Sequence, residues 1–182
     1  FFFFYLPGFV RVPYNDAEAM VAAIYERTAS VILEAIPATA GFPMPEPGYL
    51  AAIRAACDEV GALFVLDEVQ TGLGRTGTTW YFQQEGVTPD VLVTGKGLSG
   101  GVYPIAATLM TAEVHRFFGE HPFCQVSTFG GADLGCVAAA EVVDLVTAPG
   151  FAERVNAVGE RLEAAFADLP FGVRRRGMLL AF

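Results

Sequence analysis

The sequence predicts an α/β fold, and three observations carry that prediction. Short apolar runs at 31–35 (VILEA), 63–67 (LFVLD) and 91–95 (VLVTG) have the length and β-branched content of buried strands. Between the first two, PEPGYLAAIRAACDEVGA sets Leu50, Ile53, Ala56, Cys57 and Val60 at helical spacing, so the order is strand, helix, strand. Such βαβ units build parallel sheets covered by helices. Third, 53% hydrophobic residues against 17% charged, over 182 residues, are enough to bury a substantial core.

Each element has its own signal. A helix is expected over 16–29, starting after Asn15 or Asp16 with Glu18 favouring its N-terminus. Pro47 opens the next helix and Gly61 ends it. Ala106–Met110 reads as a fourth strand, Thr111–Phe118 as a short helix, Asp133–Val146 as a long one and Phe151–Ala167 as another. From Phe171 onward the pattern returns to strand, with Arg174, Arg175 and Arg176 read as a solvated turn. There is no internal repeat and no charged linker.

Composition excludes several functions. Eleven basic against 20 acidic residues give a net charge of -9, which lacks the clustered cationic footprint that DNA or RNA phosphates require. No apolar stretch reaches the length of a membrane-spanning helix, so no membrane partner is expected. The start, FFFFYLPGFV, has neither a basic flank nor a small-residue cleavage site and does not read as a signal peptide. It carries no initiator Met, and the final GMLLAF resembles an interrupted strand, so a piece of a longer protein is expected. Cys57, Cys124 and Cys136 show no CxxC spacing and are expected as buried thiols in a reducing compartment. His115 and His121 stand near no cysteine at ligand spacing, and no metal site is expected.

Parallel sheets place their chemistry at the carboxyl ends of the strands. Three features end strands in this way: Glu34, the pair Asp67-Glu68, and TGKGLSGG at 94–101. Ten of the eleven basic residues are arginine, and the single lysine is Lys96. Glycines on both sides clear its approach, which suits an amine that bonds covalently to a planar ligand; a plain surface lysine is the competing interpretation. Arginine could not substitute as such an amine, because its guanidinium stays protonated.

Two matches to GxGxxG need separate treatment, GLGRTG at 72–77 and GKGLSG at 95–100. A dinucleotide fingerprint requires a helix whose N-terminus meets the pyrophosphate. The second match runs into Gly101 and Pro104, and the first follows two carboxylates and precedes TTWYFQQ, a poor helix opening. LFVLDE is like the acidic strand of a phosphate-loop NTPase, but GxxxxGK[ST] is absent. A nucleotide-binding or NTP-hydrolysing α/β domain remains the alternative function, and an inactive piece acting only in association is a third.

The runs VILEAIPATAGFPMPEPGYLAAIRAACDEVGALFVLDEVQTGLGRTG, PDVLVTGKGLSGGVYPIAA and STFGGADLGCVAAAEVV together resemble the class III pyridoxal-phosphate aminotransferases, the group of ornithine, acetylornithine, putrescine and 4-aminobutyrate transaminases. The resemblance runs from about Pro7 to Phe182 and is most specific in DEVQTGLGRTG followed by TGKGLSGG. It implies part of the large domain of the fold-type I transferase fold over 1–170 and the start of a small C-terminal domain over 171–182. It also implies a cytoplasmic transaminase that moves an amino group from an amine or amino acid to an α-keto acid.

The same resemblance implies roles by position. Lys96 forms the Schiff base with pyridoxal 5'-phosphate and then moves the proton as general acid and base. Asp67 pairs with the pyridine nitrogen, and Gln70 lies beside the phenolic oxygen. Thr128 reaches across a homodimer interface to the neighbouring subunit's cofactor phosphate. Glu34, Glu68, Arg75 and Ser127 match or flank the motifs, but Glu68 suits a local cap and Arg75 a loop tie; Gly100 and Gly101 shape the chain around Lys96. Trp80, Tyr81 and Phe82 are assigned to core or interface. Many relatives read Glu-Pro-x-x-Gly-Glu where this chain has EAIPAT, so Ala35 and Thr39 depart from the pattern. In ornithine- and aminobutyrate-type enzymes the second glutamate masks a substrate-binding arginine. The upstream phosphate loop, the ring-stacking aromatic and the downstream substrate arginine have no counterpart in these 182 residues.

Overall fold

The computed structural model describes residues 7–182. Its main sheet has four strands in the order β1 (Ser30–Glu34), β2 (Leu63–Asp67), β3 (Val91–Thr94) and β4 (Ala107–Met110). The first three run parallel, and β4 is antiparallel to β3. All three parallel strands lie within a residue of the runs read from sequence. Period-2 alternation finds a strand but carries no sign of its direction, which is why the reversal at β4 was not foreseen.

Helix α1 (Ala17–Ala23) is shorter than the 16–29 expected. Asp16 caps it by accepting the Ala19 amide at 2.9 Å. It ends because Ile24 packs into the core and the chain then turns, with the Thr28 hydroxyl accepting from Tyr25 N at 3.0 Å and Thr28 N donating to Tyr25 O at 2.7 Å. Helix α2 (Tyr49–Val60) begins after Gly48 and stops at Gly61, whose φ of 74° is the left-handed closure that glycine permits. Its inner face, Tyr49, Leu50, Ile53, Ala56 and Cys57, meets Val31, Phe64, Leu66 and Leu92 on one face of the sheet. Each of the Val, Leu, Ile and Phe side chains among these contributes about 1.5–3 kcal/mol when fully buried. The opposite face is more open, and Ile32 on it is 63% exposed.

Asp90 ties this layer together. Its carboxylate accepts from Arg54 on α2 and from the Phe64 amide on β2, both at 2.7 Å. A four-residue helix, α3 (Phe82–Glu85), interrupts the path from β2 to β3. Helices α4 (Ala112–Glu120), α5 (Asp133–Thr147) and α6 (Phe151–Ala165) follow β4, close to the expected limits.

Two expectations need correction. Arg174, Arg175 and Arg176 are not a turn but strand β5, paired antiparallel with β6 (Leu179–Ala181) around Gly177. The strand holds because Arg175 pairs with Glu163 of α6 at 2.7 Å and so spends its charge inside the structure. Of the cysteines only Cys57 is buried; Cys124 and Cys136 are exposed, since nothing among the described residues covers the segments that carry them. His115 and His121 are surface residues, as expected. Among the described residues no single helix is long and apolar enough to span a membrane, and no His/Cys/Asp/Glu group is placed to hold a metal.

Candidate active site

Register alone brings Glu34, Asp67 and the end of β3 that leads to Lys96 together at the carboxyl edge of the sheet. Glu34 stands opposite Asp67, and Asp67 opposite Val93, three residues before Lys96. Neighbouring strands are about 4.8 Å apart, so β1, β2 and β3 deliver an acid, an acid and a lysine within a small arc.

Lys96 leaves β3 through Gly95 and opens a single turn of 3-10 helix, Lys96–Ser99. Its φ is 44°, in the left-handed region that lysine rarely visits. The turn is fixed by the Ser99 hydroxyl, which donates to Lys96 O at 2.8 Å and accepts from Gly101 N at 3.1 Å. The result is an exposed lysine side chain whose Nζ donates to Gln70 Oε1 at 2.7 Å. No ion pair occupies the amine among the described residues. An amine held by a neutral amide rather than a carboxylate is free of the competing charge that would keep it from reacting.

Asp67 ends β2 half-buried, with Oδ1 accepting from the Val69 amide at 2.9 Å. That bond fixes the carboxylate at the strand tip and leaves Oδ2 for a cationic partner. The neighbouring Glu68 points the other way and is 1% exposed. Its carboxylate accepts from Tyr81 N at 2.6 Å, Phe82 N at 2.9 Å and the Thr71 hydroxyl at 3.2 Å. Burial raises its pKa above the ordinary carboxylate range, and the three hydrogen bonds oppose that rise. Two adjacent acids therefore divide: Asp67 faces the site, and Glu68 closes the loop by capping α3. Tyr81 is fully buried, with Trp80 and Phe82 packed beside it.

Thr128 is not brought to this group. It lies in the exposed segment 121–131, and no hydrogen bond joins it to Lys96, Gln70 or Asp67 among the described residues. Ser127 is exposed beside it. Arg75 is exposed too, and its tie to the fold is through the backbone: its carbonyl accepts from Met178 N at 2.8 Å. The departures Ala35 and Thr39 separate likewise. Ala35 is buried and its carbonyl accepts from the Tyr14 hydroxyl, whereas Thr39 lines an open cavity of about 520 Å³ together with Arg11, Tyr14 and Glu34.

Neither GxGxxG match runs directly into an α-helix: the second forms the 3-10 turn Lys96–Ser99, which ends at Gly100. In the first, Gly72, Gly74 and Gly77 are close-packing points against Trp80, Phe151 and Asn156; a Cβ on Gly72 would lie 2.6 Å from the Trp80 ring. Sequence reading missed Val69 and Leu73, whose side chains flank Gly95 and Gly97 on either side of Lys96. Apolar residues in a glycine-rich loop carry no pattern that betrays such a contact.

Comparison with known proteins agrees with this geometry. The chain is 50% identical over 163 residues to an uncharacterized aminotransferase of Archaeoglobus fulgidus, spanning 90% of this chain and 38% of that relative. It superposes on an ornithine aminotransferase from Toxoplasma gondii, described with partial occupancy of PLP at its active site, with a TM-score of 0.89 and 33% identity over 98% of this chain and 43% of that one. Acetylornithine aminotransferase from Elizabethkingia anophelis gives 0.86 and 35%, covering 96% of this chain and 45% of the other. The chain thus spans less than half the length of the relatives it matches. A lysine and an aspartate at the carboxyl edge of a mostly parallel sheet sit inside a match to the class-III aminotransferase family that runs over residues 4–182, and the chain belongs to that family.

Proposed function

We propose that the protein containing this chain is a pyridoxal-phosphate-dependent transaminase that moves an amino group from an amine or amino acid to an α-keto acid, with Lys96 as its catalytic amine. The observation that carries this reading is the Lys96 side chain, exposed, unpaired with any acid and aimed by Gln70. The donor set fits the cofactor: a primary amine for its aldehyde, a strand-end carboxylate in Asp67 for its pyridinium nitrogen, and an amide in Gln70 for its phenolic oxygen. When bound, pyridoxal phosphate supplies an electron sink for the charge left when a substrate C–H bond is broken.

The chain's own residues do the rest. Lys96 Nζ anchors the cofactor and, once released, carries a proton at Nζ between the reacting carbons. Asp67 holds a proton on the ring nitrogen, and its place at a half-buried strand end strengthens that charge pair. Gly95 and Gly97 let Val69 and Leu73 pack closely against the backbone on either side of Lys96. Thr128 serves a neighbouring copy: its exposure, together with the apolar surface around it, suits a homodimer in which this segment reaches the partner's cofactor phosphate. Residues 171–182 begin the small domain.

Borohydride reduction of the full-length protein with pyridoxal phosphate tests the assignment. Peptide mass spectrometry is expected to place the pyridoxyl label on the peptide that contains Lys96; a label on other lysines alone sinks the proposal. Substrate class is tested by a donor screen on the same protein, with Thr39→Glu as the variant that restores the family's second acid. That substitution is expected to shift donor preference, and an unchanged profile removes Thr39 from the specificity question.

A further inference from the structure

The loop between β2 and α3, residues 68–81, is gripped on two sides. On the inner side it holds the lysine. Gln70 accepts the Lys96 amine at 2.7 Å, and a Cβ on Gly97 would meet Leu73 Cδ1 at 3.5 Å. One on Gly95 would meet both Val69 γ-carbons at 3.7 Å. The backbone on each side of Lys96 thus rests on a side chain from this loop. Leu73 itself has φ of 56°, a strained conformation that persists only where its surroundings impose it.

On the outer side the C-terminal elements hold the loop. Met178 N donates to Arg75 O at 2.8 Å. Gly177 lies so close that an added Cβ would stand 2.5 Å from both Arg75 O and Gly77 N. Asn156 of α6 donates to Gly77 O at 3.2 Å, and Phe151 fills the space beside Gly74. Gly177 is in turn pressed onto Gly159 of α6, and the Arg175–Glu163 pair locks β5 to the same helix. The loop has little freedom of its own. Thr76 donates to Thr71 O at 2.9 Å, Gly74 N to Thr79 O at 3.1 Å, and Gln84 to Thr76 O at 2.8 Å.

We propose that the β5–β6 turn is a positioning element for Lys96: Gly177 and Met178 fix Arg75 and Thr76, and the closed 68–81 loop transmits that constraint to Gln70 and to the backbone on either side of Lys96. Gly177 and Leu73 are positioning residues, since neither touches the reacting atoms. A cross-linked loop moves as a unit, so a displacement forced at Arg75 reappears at Gln70 and Leu73. The glycines of GLGRTG are then close-approach points that let two elements reach the loop at once. The proposal rests on the assignment of Lys96 as the catalytic amine, but its test reads the amine directly.

The experiment uses the full-length protein that contains this chain. Gly177→Ala drives a methyl group into the loop backbone; Asn156→Ala removes one bond to Gly77 and is the milder variant if the first folds poorly. Gly172→Ala, where an added Cβ meets nothing within 4 Å, is the control on the same segment. The first readout is the rate at which a limiting amine-reactive reagent modifies Lys96 in cofactor-free folded protein, followed by peptide mass spectrometry. Freed from Gln70, the amine is expected to react about fivefold faster in Gly177→Ala, a coupling of ordinary size for packed networks. With cofactor, kcat is expected to fall about tenfold while KM for the donor stays nearly constant, the mark of misplacement rather than lost binding. Leu73→Ala combined with Gly177→Ala is expected to be non-additive. A Lys96 modification rate that stays at the wild-type value or falls in both Gly177→Ala and Asn156→Ala overturns the proposal, whatever their stability. The outcome is separable from the cofactor assignment, because the labelling step involves no cofactor.

Discussion

The 68–81 loop and the 121–132 segment have similar lengths and both lack regular structure, yet they stand at opposite extremes. In the first, a carboxylate 1% exposed takes three hydrogen bonds, and two threonines and a tyrosine are buried around it. In the second, all residues from 121 to 131 are exposed, with Phe123 at 88% and Phe129 at 81%. One loop is complete within the chain. The other presents apolar rings to water, an arrangement that folded proteins reserve for surfaces that meet another surface. The closed loop positions the lysine, and the open segment carries Thr128, so the proposed site has one half built locally and one half that waits for an assembly.

Substitutions can break that contrast, beginning with the largest effect. Lys96→Arg is expected to lower transamination by the full-length protein about 10³-fold or more while leaving thermal unfolding almost unchanged, because the side chain is exposed and contributes little to packing. Steady-state rates and a melting curve check both halves. Glu68→Ala is the reverse. It orphans the buried Tyr81 amide and the part-buried Phe82 amide and is expected to cost about 3 kcal/mol of folding stability, measured by denaturant unfolding.

In the open segment the same kind of change should spare the fold. Phe129→Asp is expected to leave monomer stability within about 0.5 kcal/mol. If the segment is a dimer interface, the variant weakens association by about 2 kcal/mol, read by sedimentation or mass photometry. Thr128→Ala is smaller still, with cofactor affinity of the assembled protein expected to fall about tenfold, as for one lost hydrogen bond to a charged phosphate. Unchanged affinity would assign Thr128 to the surface alone.

The smallest effect is a pH dependence. Burial raises the Glu68 pKa, so just above the ordinary carboxylate range the folded protein keeps a proton that the unfolded chain has released. The unfolded state then binds fewer protons, and stability falls as pH rises through that window. The Glu68 contribution is fully present below the ordinary range. Wild type is therefore expected to lose melting temperature relative to Glu68→Gln as pH rises from acid toward neutrality. A wild type that instead gains melting temperature relative to Glu68→Gln as pH rises would mean that the hydrogen bonds, not burial, set the balance.

Much of this was readable in the chain. The βαβ unit, the strand ends at Glu34, Asp67 and TGKGLSGG and the cap at Gly61 follow from periodicity and glycine placement, whereas the split between Glu68 as a local cap and Asp67 as a site acid came with the family resemblance. Other features had no local signal. The truncation of α1 depends on where Ile24 must pack. The order Arg174-Arg175-Arg176 looks solvated until Glu163, twelve residues before Arg175, supplies a partner. Exposure of Cys124 and Cys136 likewise depends on what covers them, which no short window encodes.

Residue order alone therefore narrows where chemistry is to be sought: one lysine among ten arginines, flanked by glycine after an apolar strand, is placed at the sheet edge, and the family resemblance rather than its position distinguishes a reactive amine from a plain surface lysine. Tertiary structure decides what holds that amine. Gln70 lies 26 positions from Lys96 and Met178 lies 103 from Arg75, yet hydrogen bonds of 2.7 Å and 2.8 Å join them. Local propensity has a reach of a few residues, whereas close packing sets the place of every side chain by neighbours that are distant in sequence.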